Sequence, residues 1–412
     1  MKCDVLIVGA GIAGSVSALK ALRHGLKVFI IEKSKSIADT IDTKLDLTES
    51  IGIESIIKEL DLPIHDTSNK SKWFSSNKVF NFNSKIYDLY IKRGSDEDSF
   101  EKQTTKRILD NGGEILFETS VKNFILDNDV VRKVNVKLKD KTLEFKPSFI
   151  VGADGVESKI LHLSGLDRYQ MILGEFHGYG VFGSDFNLPV GVTHVFFDRI
   201  TAPGGYIFAS RSKQNQCVLG VGIDPSMTGI SPKGHYEKST GDKKISDILN
   251  GSRILNNLSG YGRYGLLKKH ATGNLMMVGD AGRFSDPFLC YGVRQAILSG
   301  YNAADICKSS LESSLEVEAC KAFESSIRDL QNEIKLGFLL RKVYRKLDNK
   351  NIDVIVKIVS AAQNDGLDID YLLKNNNKLL IKHILMNGGN CTKILMKAFP
   401  YIVEYFLKTH HR

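Results

Sequence analysis

Residues 3–33 read CDVLIVGAGIAGSVSALKALRHGLKVFIIEK, and their order decides the fold. An apolar run, Val5 to Val8, meets Gly9, Gly11 and Gly14 at GxGxxG spacing; a helical pattern follows, then a second apolar run, Val28 to Ile31, closed by Glu32. Gly9 permits the tight strand-to-helix turn, Gly11 leaves room for a pyrophosphate to approach the backbone, and Gly14 lets the helix pack closely on the strands. The exposed amides and positive end of that helix receive phosphates. Glu32 stands where a carboxylate accepts hydrogen bonds from ribose hydroxyls and repels a 2'-phosphate. A lone glycine pattern occurs in many turns, but here strand, helix, strand and terminal acid are in phase, which specifies a Rossmann-type dinucleotide site.

Two later stretches extend that site. FIVGADGVESK brings a strand, Phe149 to Val151, into Gly152, Ala153, Asp154 and Gly155, and NLMMVGDAGRF brings another into Gly279 and Asp280. A strand ending in Gly-Asp at the carboxyl edge of such a sheet aims an acceptor beyond the pyrophosphate. For FAD that is the ribityl chain, with Asp280 its expected partner. The helix beginning near Val293 would then direct its dipole at the pyrimidine edge of the isoalloxazine. A simple NAD enzyme has no need of this second Gly-Asp strand, so FAD is the expected cofactor.

The rest of the chain sets the frame. Its 412 residues predict two or three structural units, and 42% hydrophobic with 25% charged residues is a globular composition. No run approaches the roughly 20 apolar residues that cross a bilayer, and strand character from the fourth residue argues against a secretory signal. A cytoplasmic location is expected, with peripheral contact to a membrane as an addition. Six scattered cysteines, without ligand spacing, argue against a metal site, an iron–sulfur domain or a disulfide framework. The net charge of +9 comes from lysines spread along the chain and no nucleic-acid motif accompanies it.

Ser34 to Ser50 reads as a polar loop, Trp73 to Ile91 as antiparallel strands, and Gly174 to Ile223 as a second set rich in Gly, Phe, Tyr and Val. The expected fold is α/β with an α+β second domain: a discontinuous FAD-binding domain over 1–72, 94–172 and 268–310, an inserted antiparallel-sheet substrate domain over 73–93 and 173–267, and a helical region over 311–412. Within that last region, QNEIKLGFLLRKVYRKL (331–347) joins apolar Ile334, Phe338, Leu339 and Val343 to basic Lys335, Arg341, Lys342, Arg345 and Lys346, and TKILMKAFPYIVEYFLK (392–408) is apolar but interrupted. A helical cap over the substrate domain is the favoured reading, beside a cationic helix lying on an anionic membrane.

GxGxxG, GADGxxS and VGDAxG…P…G in this order resemble the FAD-dependent superfamily of the p-hydroxybenzoate hydroxylase type. Within it, Ser299, Gly300, Ala303 and Ala304 (SGxxAA) and PGGYIFAS, Pro203 to Ser210, are similar to the geranylgeranyl reductase family, roughly as far as Ser310. The resemblance implies a reduced flavin that delivers hydride to isolated double bonds of a polyprenyl chain, with a proton added at the neighbouring carbon. Carried over by position, its FAD contacts fall on Gly9, Gly11, Gly14, Glu32, Lys33, Arg93, Val121, Ala153, Asp154, Gly279, Asp280, Pro287, Gly292 and Val293. The loop after Glu32 offers Lys44, but Leu45 and Asp46 stand where the family has Cys and Gly. Cys290, Tyr291 and Gly292 replace its Gly-Gly-Gly. Cys290 is thus a proton donor, a group that tunes the flavin or a packing residue; Tyr291 donates a proton, stacks on the ring or narrows the tunnel. Tyr206 and Phe208, with Trp73, Phe80, Phe82, Phe176, Phe182, Phe196 and Phe197, are candidate lining for a long apolar substrate. NADPH or a reduced ferredoxin-type protein is the implied electron donor. An aromatic monooxygenase and an electron-transfer flavoprotein serving a quinone are the alternatives; a halogenase is disfavoured because Trp73 is the only tryptophan.

Overall fold

A computed structural model describes residues 1–39, 41–75, 78–313 and 316–364. Five parallel strands form the centre of the first sheet, in the order Leu275–Met277, Lys141–Gly152, Lys2–Val8, Val28–Ile31 and Glu114–Leu116. Parallel strands covered on both faces read as continuous apolar runs, which is why Val5 to Val8 shows no polar alternation. Val5 and Ile7 pack with the helices Ile12–Arg23 and Val293–Ser313 on one face. Leu6 and Val8 pack on the other against Val134, Val136 and Phe145 of an antiparallel meander, Thr119–Asp127, Val130–Leu138 and Lys141–Gly152. The alternation of side chains along one strand thus serves two cores.

The second sheet has eight strands, ordered Arg253–Leu267, Gln170–Ser184, Gln216–Ile223, Tyr206–Arg211, Val192–Phe197, Asp66–Ser75, Lys78–Arg93 and Lys44–Glu49. Its neighbours pair antiparallel except Val192–Phe197 with Asp66–Ser75, which run parallel. The sheet therefore begins earlier in the chain than residue 73, and two of its strands come from stretches whose polarity suggested loop or nucleotide domain. Lys44–Glu49 alternates Leu45 and Leu47 with polar residues at the sheet edge, and Asp66–Ser75 exposes Thr67, Asn69 and Lys70 to water. Backbone ladders tie both strands into the sheet, and Leu45, Trp73 and Phe74 anchor them in its apolar clusters.

Past Ser313 the described chain is helical: Glu316–Ser326, Arg328–Tyr344 and Asn349–Asn364. Tyr344, Leu347, Ile352, Val356 and Val359 pack onto Phe82, Phe197 and Tyr206 of the second sheet. These helices cap that sheet, and the stretch read as a cationic face is not wholly one, because Arg341 is 1% exposed. Residues 392–408 lie outside the described residues. Among the described residues no helix is long and apolar enough to cross a membrane.

Candidate active site

The glycine turn is built by two close approaches and one gap. Gly9 has φ +103°, and a Cβ there would lie 2.3 Å from the Ala153 carbonyl oxygen; one at Gly14 would lie 2.0 Å from that of Gly9. A Cβ on Gly11 would meet nothing within 4 Å. The turn is thus shut against its own sheet at Gly9 and Gly14 and open at Gly11, the position a pyrophosphate requires. Glu32 Oε2 accepts the Ala10 N–H at 2.9 Å, while Oε1 accepts the Ser34 N–H at 2.9 Å and hydroxyl at 2.8 Å. The carboxylate is held beside the turn before any ligand arrives.

The Gly-Asp strand is placed by the helix Val293–Ser313. Gly279, at φ +55°, donates its N–H to Ser299 Oγ at 3.0 Å. A Cβ on Gly300 would lie 2.4 Å from the Ala13 carbonyl oxygen, and Ser17 donates to the Gly300 carbonyl at 2.9 Å. The SGxxAA stretch is thus a seam joining the two helices that start at the cleft. Asp280 Oδ1 accepts from Ser285 Oγ at 2.5 Å and would be 3.1 Å from a Cβ on Gly292.

Between the sheets lies a cleft of about 640 Å³. Gly11, Ala153, Gly279, Asp280, Gly292 and Val293 line it at the nucleotide side, Lys44 and Arg93 at one flank, and Cys290, Tyr291, Tyr206 and Phe208 at the far end. Gly9 and Gly14 lie beneath the turn. Glu32, Lys33, Val121, Asp154 and Pro287 do not line the cleft. Lys33 is exposed, and Val121 is a buried meander residue whose carbonyl accepts from Lys159 Nζ at 2.7 Å. The Asp154 carboxylate accepts from Ser158 Oγ at 2.6 Å and the Ile160 N–H at 3.0 Å, so its side chain fixes the next helix. Pro287 packs where a Cβ on Gly337 would be 3.0 Å away.

Arg93 is not a lone surface cation. Its Nη1 donates to Asp46 Oδ2 at 2.9 Å and its Nε to Glu101 Oε1. Burial works against ionisation at Asp46, but Lys44 and Arg93 together hold its carboxyl below the ordinary value. Glu101 was invisible in the sequence, where it is one acid in the first turn of a helix capped by Ser99.

The far wall is nearly bare backbone. Gly178 faces Gly222 on one neighbouring strand and Gly260 on the other, and Gly180 faces Gly220. On this wall stand Phe176, Tyr206 and Phe208, with Gly220 and Gly222 yielding space to the Phe208 and Phe176 rings. The other candidate aromatics serve packing: Phe182 joins Leu45 and Tyr90, Phe196 stacks on Phe74 at 4.4 Å, and Trp73 with Phe80, Phe82 and Phe197 lies in the cluster that the C-terminal helices cover. The glycines were visible singly, but their cross-strand register was not.

At the closed end, Tyr206 donates to the Leu289 carbonyl at 2.5 Å. Burial raises its pKa, and Tyr291 and Cys290 raise it further. Burial likewise pushes the Cys290 thiol up to about 12 and raises the Asp286 carboxyl. Cys290 sits at φ +60°, a conformation that favours glycine. Tyr206 and Cys290 thus keep their protons at neutral pH where they line the cleft.

Comparison with known proteins bears on the family and the fold. The model of the family described as FAD binding domain matches residues 2–311. Among curated proteins, digeranylgeranylglycerophospholipid reductase 1 of Methanococcoides burtonii is 26% identical over 399 residues, covering 92% of this chain and 93% of its own. The digeranylgeranylglycerophospholipid reductase of Methanosarcina mazei is 26% identical over 396 residues, covering 92% and 95%. Among solved structures, a geranylgeranyl bacteriochlorophyll reductase-like protein from Thermoplasma acidophilum superposes with a TM-score of 0.77 at 20% identity, covering 96% of this chain and 99% of that one. A probable FAD-dependent monooxygenase from Pseudomonas aeruginosa has a TM-score of 0.66 at 18% identity, covering 84% and 97%. At these identities the solved structures speak for the fold alone.

Proposed function

Because this chain belongs to the FAD binding domain family, we propose that it is a reductase saturating C=C bonds of a geranylgeranyl-type chain on a lipid. The observation that carries this reading is the far wall: a surface of glycine backbone and aromatic rings, bounded by buried proton donors, suits an extended apolar chain. Relatives named for reduction of a digeranylgeranyl lipid, matched over more than nine-tenths of both lengths, support it. Gly9, Gly11 and Gly14 would hold the pyrophosphate of FAD, Glu32 its ribose and Asp280 its ribityl chain, with the helix after Gly292 beyond. Bound and reduced, FAD supplies hydride. NADPH or a reduced ferredoxin-type protein renews the electrons, and contact with a membrane face brings the substrate within reach.

An isolated double bond has no carbonyl for an oxyanion site to polarise, so the residues act by orientation and by excluding water. Phe208 and Tyr206 fix the chain against the bare wall. Tyr206, tied to the Leu289 carbonyl, keeps the 286–291 loop at the cleft's end. Cys290 and Tyr291 from that loop hold protons next to the space and are the candidate donors. The same fold also serves a probable monooxygenase, which makes substrate shape decisive. Mass spectrometry of the ligand released from the yellow protein should find a prenyl lipid; a compact phenol in its place would replace this reading with hydroxylation.

A further inference from the structure

The 286–291 loop has space on two sides, and the chemistry above uses only one. Besides the cleft, a second cavity of about 60 Å³ lies between this loop, the strand Lys44–Glu49, the start of the helix Val293–Ser313 and the helix Arg328–Tyr344. Asp286 and Tyr291 line both spaces. The last of these helices seats closely on the loop at a glycine, since a Cβ on Gly337 would lie 3.0 Å from Pro287 Cδ and 3.2 Å from Asp286 Oδ1. Glu333, paired with Arg294 at 2.7 Å, also lines the second cavity, and its side chain, 23% exposed, reaches solvent.

Two polar groups indicate what this cavity holds. Gln295 lines it at 6% exposure, and its Oε1 is buried without a hydrogen-bond partner among the described residues. An orphaned acceptor on such a wall calls for water, which needs about 10–15 Å³ of room and at least two polar partners. Asp286 offers another. Its Oδ1 accepts the N–H groups of Phe288 at 2.5 Å and Leu289 at 3.0 Å, while Oδ2 takes no hydrogen bond among the described residues. The Asp286 backbone closes the loop, accepting the Cys290 N–H at 3.0 Å and donating to the Tyr291 carbonyl at 2.8 Å. Capping thus accounts for one carboxyl oxygen and leaves the other spare. Burial, joined by Glu333, raises this carboxyl against the two loop amides and Arg341, which suits a group that carries a proton.

We propose that Asp286 is a proton relay, taking protons from water in the second cavity and passing them to the group that protonates the chain in the cleft. The inference rests on the reductive reading above. Each saturated bond consumes one hydride and one proton. The proton of the cleft donor forms a new C–H bond with the π electron pair, and the neighbouring carbon takes the hydride. The Asp286 O–H bond then breaks to restore the donor. The carboxylate recovers its proton from cavity water, which draws it from solvent past Glu333.

Asp286→Asn tests the relay, because the amide oxygen can keep both loop N–H bonds while the acid is gone. With holoenzyme kept reduced by dithionite and supplied with a geranylgeranyl-bearing glycerophospholipid, this variant should saturate bonds about tenfold or more slowly, the scale on which a proton-transfer group contributes. Its flavin should survive desalting. Added formate, a small diffusible proton carrier, should restore the rate as its concentration rises, which the loss of a mere cap would not allow, and should leave the unsubstituted enzyme unchanged. Leu340→Phe crowds the second cavity from a residue that does not line the cleft, and should slow turnover in a way that formate does not repair. Asp286→Asn at the unsubstituted rate, or slow and unmoved by formate, overturns the relay while leaving the reductase reading intact. If that variant does not fold, Leu340→Phe at the unsubstituted rate has the same force. An unsubstituted enzyme that saturates no prenyl chain overturns the reductase reading and, with it, the relay.

Discussion

At the scale of single residues, chemically equal glycines do different work. Gly11 faces open space and Gly14 faces a backbone oxygen. Gly11→Ala should cost the apoprotein within about 1 kcal/mol, the range of a helix-cap change, yet abolish FAD retention, read by flavin absorbance after desalting. Gly14→Ala should lose on the order of 1–3 kcal/mol in urea unfolding, as overpacking does. Equal effects of the two on stability would contradict the division. His194 gives a second test. Both ring nitrogens are buried beside Phe74 and Phe196 without partners among the described residues, and burial lowers its pKa from the ordinary 6.5 to about 4. The unfolded chain therefore binds this proton first as pH falls. Stability is complete above pH 6.5 and drains away down to about pH 4, by about 3 kcal/mol if one group carries it. Substituting His194→Phe should flatten that part of the urea-midpoint profile, and an unaltered slope would assign the loss elsewhere.

At the scale of elements, what could be read from the sequence depended on whether the core or the backbone specified the strand. Val5 to Val8 and Val28 to Ile31 announced themselves because both faces are buried, and Val293–Ser313 because its small residues repeat toward Ala13. Lys44–Glu49 and Asp66–Ser75 did not, since polar residues interrupt their apolar pattern and their register comes from a partner far along the chain. The same limit hid the join between the strand Lys78–Arg93 and the helix Phe100–Asp110. There Arg93 pairs with Glu101, whose side chain is 1% exposed, and Glu101 Oε2 also accepts the Gly94 N–H at 3.1 Å. Glu101→Gln leaves the arginine short of a counter-charge in a buried place and should destabilise the protein by about 3 kcal/mol. Urea titration reads this directly, and a cost below about 0.5 kcal/mol would mean that solvent already screens the pair.

At the scale of the molecule, three distant pieces of chain meet around one cleft: the glycine turn, the 286–291 loop and the wall of the second sheet. The cofactor end was legible because a pyrophosphate site demands glycines at fixed spacing. The wall was not, because Gly178, Gly222 and Gly260 become one surface only through strand register. Nor was Arg341, which looked like one more cation on a basic helix. The C-terminal helices belong to this architecture, since Tyr344 donates to the Gly205 carbonyl at 2.7 Å behind the glycine wall. The central claim is that the cleft adds hydrogen, and not oxygen, to a prenyl chain. Anaerobic incubation of the chemically reduced protein with a geranylgeranyl-bearing glycerophospholipid, followed by mass spectrometry of the lipid, tests it. The expected product has gained two hydrogens for each bond saturated, without oxygen present. A lipid unaltered under these conditions, together with an oxygen-dependent hydroxylated product from an aromatic substrate, would contradict it.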